Sequence, residues 1–320
     1  MFSDFPDGVT SFGIPMVGGS IPTIGTSQYL FTDPVRGADG NPGTVALPMR
    51  TLQAAVNRAI NASPGGSCIA AGPGQYNETV TIPRTVTVAD GSVRQVSNVV
   101  LVGLGGRGAA FIENDTVGGE GLTVHADNVT LVNLGVAGEA TADWSVRVTG
   151  SRFRAHGCKF EGNEGVAAGN GQFVFGPGTA AEVAANTAGR GGDGALYDCE
   201  ICWGARGVVV QSSTFGAATQ LLLQDVRYHD LTAVHVGEND VGAIGAGRAI
   251  WMLANTFDRD ESGAAPTDWV DLDSAGSTGL IAQSRFSSAA APATGVVQLA
   301  AGVLYVTNYS EAGQTVARPA

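Results

Sequence analysis

A degenerate six-residue pattern recurs from about residue 130 to the end of the chain: apolar, any, turn-former, small, polar, aromatic or branched. Its copies are LVNLGV (131–136), AHGCKF (155–160), LYDCEI (196–201), VQSSTF (210–215), LQDVRY (223–228), MLANTF (252–257), IAQSRF (281–286) and LYVTNY (304–309). The last residue is Val, Phe, Ile or Tyr each time and the one before it is never large and apolar, which is the alternation of a strand with one buried face. The third position holds Asn133, Gly157, Asp198, Ser212, Asp225, Ala254, Gln283 and Val306. Most of these accept a left-handed or tight-turn backbone, so a bend is expected between two short strands. Tyr228, Phe257, Phe286 and Tyr309 follow one another at 29, 29 and 23 residues. A coil of about 22–29 residues holding more than one strand suits a parallel β-solenoid better than a sandwich of hairpins.

Composition agrees with a turn-dense β architecture. The 320 residues include 47 glycines and 13 prolines, while only 14% are charged. The formal net charge is −12, and Lys159 is the single lysine, so neither a nucleic-acid backbone nor a membrane is an expected partner. No apolar run reaches the roughly 18 residues that span a bilayer. Asp4, Asp7 and Pro6 stand where a secretory leader would be basic and then apolar, so synthesis in a cytoplasm without a signal peptide is expected. Four cysteines, Cys68, Cys158, Cys199 and Cys202, are too few for a disulfide framework and are expected as thiols.

In the N-terminal half, TLQAAVNRAI places Leu52, Ala55, Val56, Ala59 and Ile60 on one helical face, giving a capping helix over about 50–61 that can close a solenoid's open end. A strand beginning at Cys68 follows, and GPGQYNETVTIPRTVTV (72–88), SNVVLVGLG (97–105) and GLTVHADNVTLVNLGV (121–136) read as the first coils. The order YLFTDPVRGADGNPGT, the TLQAAV helix, the GPGQYNETVTI strand and the later coils resembles the right-handed parallel β-helix proteins of the pectin-lyase-like superfamily, over about residues 28–310. The opening FPDGVTSFGIP, ahead of D-P-x-x-G-x-D-G-N, is similar to β-helix proteins of tailed-bacteriophage structural gene clusters. The resemblance implies an all-β right-handed parallel β-helix spanning 28–310, preceded by an extended arm (1–27) and followed by a C-terminal tail (311–320). Within it, the Gly-rich stretch 162–194 reads as an insertion outside the coils, with one helical turn at 180–185. The arm is too apolar for an inert linker, and Phe2, Phe5, Phe12, Ile14, Met16 and Ile21 are its candidate docking residues.

The superfamily includes lyases, hydrolases and esterases of acidic polysaccharides, whose motifs are D-F-I-F-G in the esterases and N-T-D, D-D and G-H-G in the hydrolases. None of these strings occurs in the chain; Asn255-Thr256-Phe257-Asp258 comes nearest and is explained by the repeat. Paired carboxylates of glycosidase type remain at Asp271 with Asp273 and Asp258 with Asp260, with Trp251 and Trp269 as sugar platforms, against the simpler reading of solvated and turn-capping acids. Cys199 and Cys202 spell C-x-x-C without a second pair, and Cys199 occupies the small inward position shared with Cys158, Ser213 and Ser284, so both read as core thiols. His229 and His235 are six apart and His156 lies within a repeat copy, so no histidine ligand set is read; the Asp-rich loops 258–263 and 237–242 are candidate calcium loops, since that ion takes oxygen ligands at irregular spacing, against the simpler reading of solvated acids. VGLGGRG (102–108) lies between strands rather than opening a helix and reads as a packed corner. No catalytic, cofactor or metal residue is therefore assigned. The expected role is a non-enzymatic structural protein on a bacteriophage virion surface, a head decoration or spike held by its arm. Its expected partners are other virion proteins, the major capsid protein or tail components, and further copies of itself, a trimer included. The alternative is a tailspike or receptor-binding protein that binds or cleaves host surface glycan.

Overall fold

The computed structural model describes residues 9–11, 14–16, 29–114, 120–138, 144–162, 171–176, 178, 180–189, 192–211, 219–239, 248–258, 268–272, 277–287, 297–299, 301–310 and 315–316. Over these the chain winds as a parallel β-helix with three faces. The first face is a ten-stranded sheet that runs from Tyr29–Thr32 and Ser67–Ala71 to Ser277–Ala282 and Gly302–Val306, every neighbour parallel. The second face begins at Gly74–Asn77, passes through Ala110–Glu113, Leu134–Ala137 and Lys159–Glu161, and ends at Asn308–Ser310. The third carries Val80–Ile82, Leu122–Val124, Trp144–Val148, Gly171–Phe175, Asp268–Leu272 and Val297–Leu299. Two long strands, Glu200–Gln211 and Arg227–Asn239, run through both of these faces and join them into one sheet.

The six-residue pattern is the corner between the first and second faces. Asn133, Gly157, Asp198, Asp225, Ala254 and Gln283, its third positions, all have φ between 48° and 60°. The left-handed residue swings the chain without breaking the alternation, and the residue after it points into the lumen. There Cys158, Cys199, Val226, Asn255 and Ser284 are buried in successive coils. Asn255 uses its amide to mend the corner, Oδ1 accepting from the Val226 N–H at 2.9 Å and Nδ2 donating to the Leu223 carbonyl at 3.0 Å. Asn308 does the same for Ser284 and Ile281. Two residues further on, Val136, Phe160, Ile201, Tyr228, Phe257 and Phe286 are all fully buried. Parallel register stacks the last three rings face to face, with centroids 4.9 and 4.7 Å apart.

Two copies of the pattern lie elsewhere. In the last, the left-handed residue is Thr307 rather than Val306, so Asn308 and Ser310 face inward and Tyr309 is left half-exposed. An aromatic at 309 mimics the inward position, but the bend fixes which residue holds it. The described part of the copy at 210–215 does not lie between the first and second faces. Val210 and Gln211 end a long strand on the third face, beside Phe175 and Glu238, and Ser212, Ser213 and Phe215 lie outside the described residues. The stretch 162–194, expected as an insertion outside the coils, contributes Gly171–Phe175 to the third face, with Phe173 and Phe175 in the lumen. Its helical turn is at Ala180–Ala184.

The helix is Leu52–Ala62, with Thr51 as its N-cap, accepting from the Ala54 N–H, and with all five expected apolar residues buried. Glu78, just beyond GPGQYN, accepts from the Leu52 and Gln53 N–H groups at 2.7 and 2.9 Å, so a carboxylate from the first coil holds the cap in place. The tail expected at 311–320 folds back at Thr315–Val316 and pairs antiparallel with Asn308–Ser310. Of the arm, Val9–Ser11 and Ile14–Met16 form an antiparallel two-stranded ladder separate from the other sheets. Phe2, Phe5, Phe12 and Ile21 lie outside the described residues. Among the described residues no helix is long and apolar enough to cross a membrane.

Among the described lumen residues, Tyr228 Oη and both ring nitrogens of His235 are buried without a hydrogen-bond partner of normal geometry. His235 is completely buried against Tyr228, Phe257 and Trp269. Burial pushes its pKa from 6.5 down to about 3; the nearby Asp258 carboxylate and the Leu231 backbone favour the cation but do not offset burial. The unfolded chain takes up this proton below about pH 6.5, whereas the folded ring stays neutral to about 3. The stabilising contribution of the neutral ring is thus present above 6.5 and lost as the pH falls.

Two outcomes are expected. Between pH 6.5 and 4 the unfolding free energy of the wild type should fall more steeply than that of His235→Phe, by about 1.4 kcal/mol per pH unit. Parallel curves from urea titrations would show that His235 does not titrate this way. Phe257→Ala should cost about 3–5 kcal/mol, while Arg285→Ala, on the outward side of the neighbouring strand, should stay within about 0.5 kcal/mol. Equal losses would refute the inward and outward assignment.

Candidate functional site

On the outside of the second face, three consecutive coils set their outward residues side by side. Lys159 pairs with Glu200 and Glu200 with Arg227; Glu161 pairs with Cys202 and Cys202 with His229. The inward residues between them, Phe160, Ile201 and Tyr228, are locked in the lumen, so the outward groups are held at strand spacing. Trp203 and Asp230, next along their strands, both have left-handed backbones, with φ of 55° and 53°. That turn brings the Asp230 carboxylate back onto the preceding ring: its Oδ2 lies 2.5 Å from His229 Nδ1. The other ring nitrogen, Nε2, lies 3.1 Å from Glu200 Oε1. His229 is therefore clamped between two carboxylates from two coils.

Cations complete the cluster. Arg107, from the glycine corner between the Val99–Gly103 and Ala110–Glu113 strands, reaches the Asp198 carboxylate at 2.6 Å and Glu200 at 3.6 Å. Its guanidinium is held above its ordinary pKa: burial opposes the charge, and the hydrogen bond and charge of Asp198, with Glu200 behind, outweigh it. Lys159 pairs with Glu161, lies 3.8 Å from Glu200 and sits 5.0 Å from the centre of the Trp203 ring. Its pKa is likewise raised, burial being outweighed by Glu161 and then by the charges around it. Cys202 is fully buried beneath these groups, and burial pushes its thiol up to about 12, Lys159 drawing it down and Glu161 and Glu200 pushing it up. Glu200, Cys202 and His229 offer one ligand atom each within 4.8 Å of one another. In the adjoining coil Asp258 takes the Ser287 hydroxyl at 2.7 Å and Arg227 at 2.9 Å; burial raises its pKa, and these bonds more than reverse it.

The other candidate residues are scattered. Cys199 is a lumen thiol beside Cys158, as the repeat position predicts, but Cys202, expected as a core thiol too, belongs to the outward cluster. Trp269, expected as a sugar platform, is buried in the lumen edge-on to His235, while Trp251 stands half-exposed on the first face. His156 stacks on Tyr197 at 4.8 Å, outside the first face. Asp271 is half-buried on its strand, Asp258 is paired as above, and Asp273 and Asp260 lie outside the described residues, as do 240–242 and 259–263 of the two Asp-rich loops. The glycine corner at 102–108 is a packed one: a Cβ on Gly103 would lie 2.6 Å from the Asn133 carbonyl oxygen. Its Arg107 carries a role that the sequence reading missed. The contact between Glu200, Cys202 and His229 was also missed, because it spans two coils of unequal length.

The chain matches no family model and no curated protein. Among solved structures it is similar to YbhC of Escherichia coli, with a TM-score of 0.59 at 13% identity, over 96% of this chain and 91% of that one. It is also similar to the pectin methylesterase of Aspergillus niger (TM-score 0.52, 16% identity, 92% and 89% covered) and to that of carrot (0.52, 14%, 92% and 85%). The fold is a right-handed parallel β-helix. At these identities the likeness concerns the fold alone.

Proposed function

We propose that this chain is a non-enzymatic structural protein of a bacteriophage virion surface, a head decoration or spike that assembles as a homo-oligomer and attaches through its N-terminal arm. The observation that carries this reading is the outward side of the first face. In the last four coils Leu222, Trp251, Leu280 and Leu304 form one outward row, and Leu253 and Val306 belong to the next. Trp251, Leu304 and Val306 are 36%, 61% and 47% exposed. A chain of net charge −12 repels its own copies over most of its surface. An uncharged apolar sheet face is where such copies can meet, and the occupant of this one is a second copy of the chain. Support for a virion comes from the opening FPDGVTSFGIP and its similarity to phage β-helix proteins.

A second reading, a tailspike or receptor-binding protein that binds or cleaves host polysaccharide, draws on two features. Trp251 offers an exposed indole of the kind sugars stack on, and the His229 cluster places carboxylates around an imidazole. Oligomer and glycan tests separate the two. Light scattering of the purified full chain should give a discrete oligomer that Leu304→Glu with Trp251→Glu dissociates at unchanged thermal stability; a monomeric wild type would overturn the assembly reading. Tagged chain lacking residues 1–27 should stay folded and fail to label phage particles, whereas normal labelling would move the anchor off the arm. Release of oligosaccharide from host surface glycan, lost in His229→Gln, would instead establish the second reading.

A further inference from the structure

We propose that Cys202 Sγ, His229 Nε2 and Glu200 Oε1 bind one divalent transition metal ion, with zinc the ion their chemistry suits best. The three donors are a thiol, an imidazole and a carboxylate, the mixed set that zinc takes when a fourth position is left to water. Around a tetrahedral zinc with bonds of about 2.0–2.3 Å the ligand atoms sit roughly 3.4–3.6 Å apart. His229 Nε2 and Glu200 Oε1 are already 3.1 Å apart, and all three atoms fall within 4.8 Å of one another, so side-chain adjustment alone closes the set.

The second observation is independent of the ligand set. Asp230 Oδ2 at 2.5 Å from His229 Nδ1 fixes the ring proton on that nitrogen, which leaves the Nε2 lone pair facing Glu200 and Cys202. A carboxylate on the far nitrogen of a histidine is the outer support found on metal-ligating imidazoles, where it orients the ring and raises its basicity. A lone pair and a carboxylate oxygen in contact need a cation between them, either a proton on Nε2 or a metal. Local charge suits a cation: the carboxylates Glu161, Asp198, Glu200 and Asp230 gather around the site beside Arg107 and Lys159. On binding, the Cys202 proton leaves to solvent, so affinity weakens as the pH falls. The metal would join the coils that carry Cys202 and His229, and it is independent of the assembly reading above.

The test uses the full chain, stripped with a chelator and titrated with cobalt(II) followed by absorption, then with zinc as competitor. Expected are a thiolate-to-cobalt charge-transfer band, intense visible bands of tetrahedral cobalt, saturation at one ion per chain and their displacement by zinc. Cys202→Ser should remove the charge-transfer band, and His229→Gln should abolish saturable binding; circular dichroism of each variant checks that it is folded. Asp230→Asn should keep the stoichiometry and weaken affinity about 10–100-fold, a result that a simple ion pair would not give. If Cys202→Ser proves unfolded, Cys68→Ser serves as the second thiol variant and must leave the band intact. No cobalt band in the wild type, a band that survives Cys202→Ser, or one lost in Cys68→Ser would overturn the proposal.

Discussion

The left-handed corner residue governs the molecule. A parallel coil can stack on its neighbour only if every inward side chain meets its counterpart, and a slip of one residue would exchange lumen and surface along a whole strand. Asn133, Gly157, Asp198, Asp225, Ala254, Gln283 and Thr307 set that phase afresh in successive coils. Between corners the coil lengths differ freely: Gly194 to Leu221 is 27 residues, Leu221 to Ile250 is 29, and Gly279 to Val303 is 24. The asparagines that follow Ala254 and Thr307 show the cost of such a corner. Its backbone groups turn away from ladder partners, and a buried amide satisfies them.

What could be read from the sequence follows from this. The corner pattern is local, six residues long, so strand alternation, inward aromatics and the bend position are all legible in the sequence. The capping helix was visible for the same reason, since its five buried residues lie within nine positions of one another. The errors arose where a local look-alike competed with stacking. Tyr309 resembles an inward aromatic, yet Thr307 sets the phase one residue later; Phe173 and Phe175 sit in a Gly-rich stretch that reads as a loop, yet they stack between Val146 and Val148 on one side and Val208 and Val210 on the other.

The outward cluster was hidden for a different reason. Glu200, Cys202 and His229 sit on two strands, and the separation of Cys202 from His229 is that of one coil, a length the fold does not keep constant. No fixed spacing can announce such a set. Read linearly, Cys202 belongs with Cys199 in a C-x-x-C, and His229 with His235. In three dimensions both couplets divide between the lumen and the outside: Cys199 and Cys202 are three residues apart in an alternating run, and the left-handed Asp230 breaks the alternation between His229 and His235.

Lumen and surface are therefore two sides of one ladder. Ile201 lies between Glu200 and Cys202, and Tyr228 between Arg227 and His229; the ring of Tyr228 is stacked on Phe257, which is stacked on Phe286. The position of His229 relative to Glu200 is thus set by the aromatic column that anchors Tyr228 as well as by their own hydrogen bond. A close-packed interior resists displacement, so a group mounted outside it inherits its rigidity without sharing its chemistry. The outward residues of such a solenoid can change from apolar, as on the first face, to charged, as on the second, while the coils beneath keep the same register. That separation lets a single column of rings carry an apolar row on one side and a charged cluster on another.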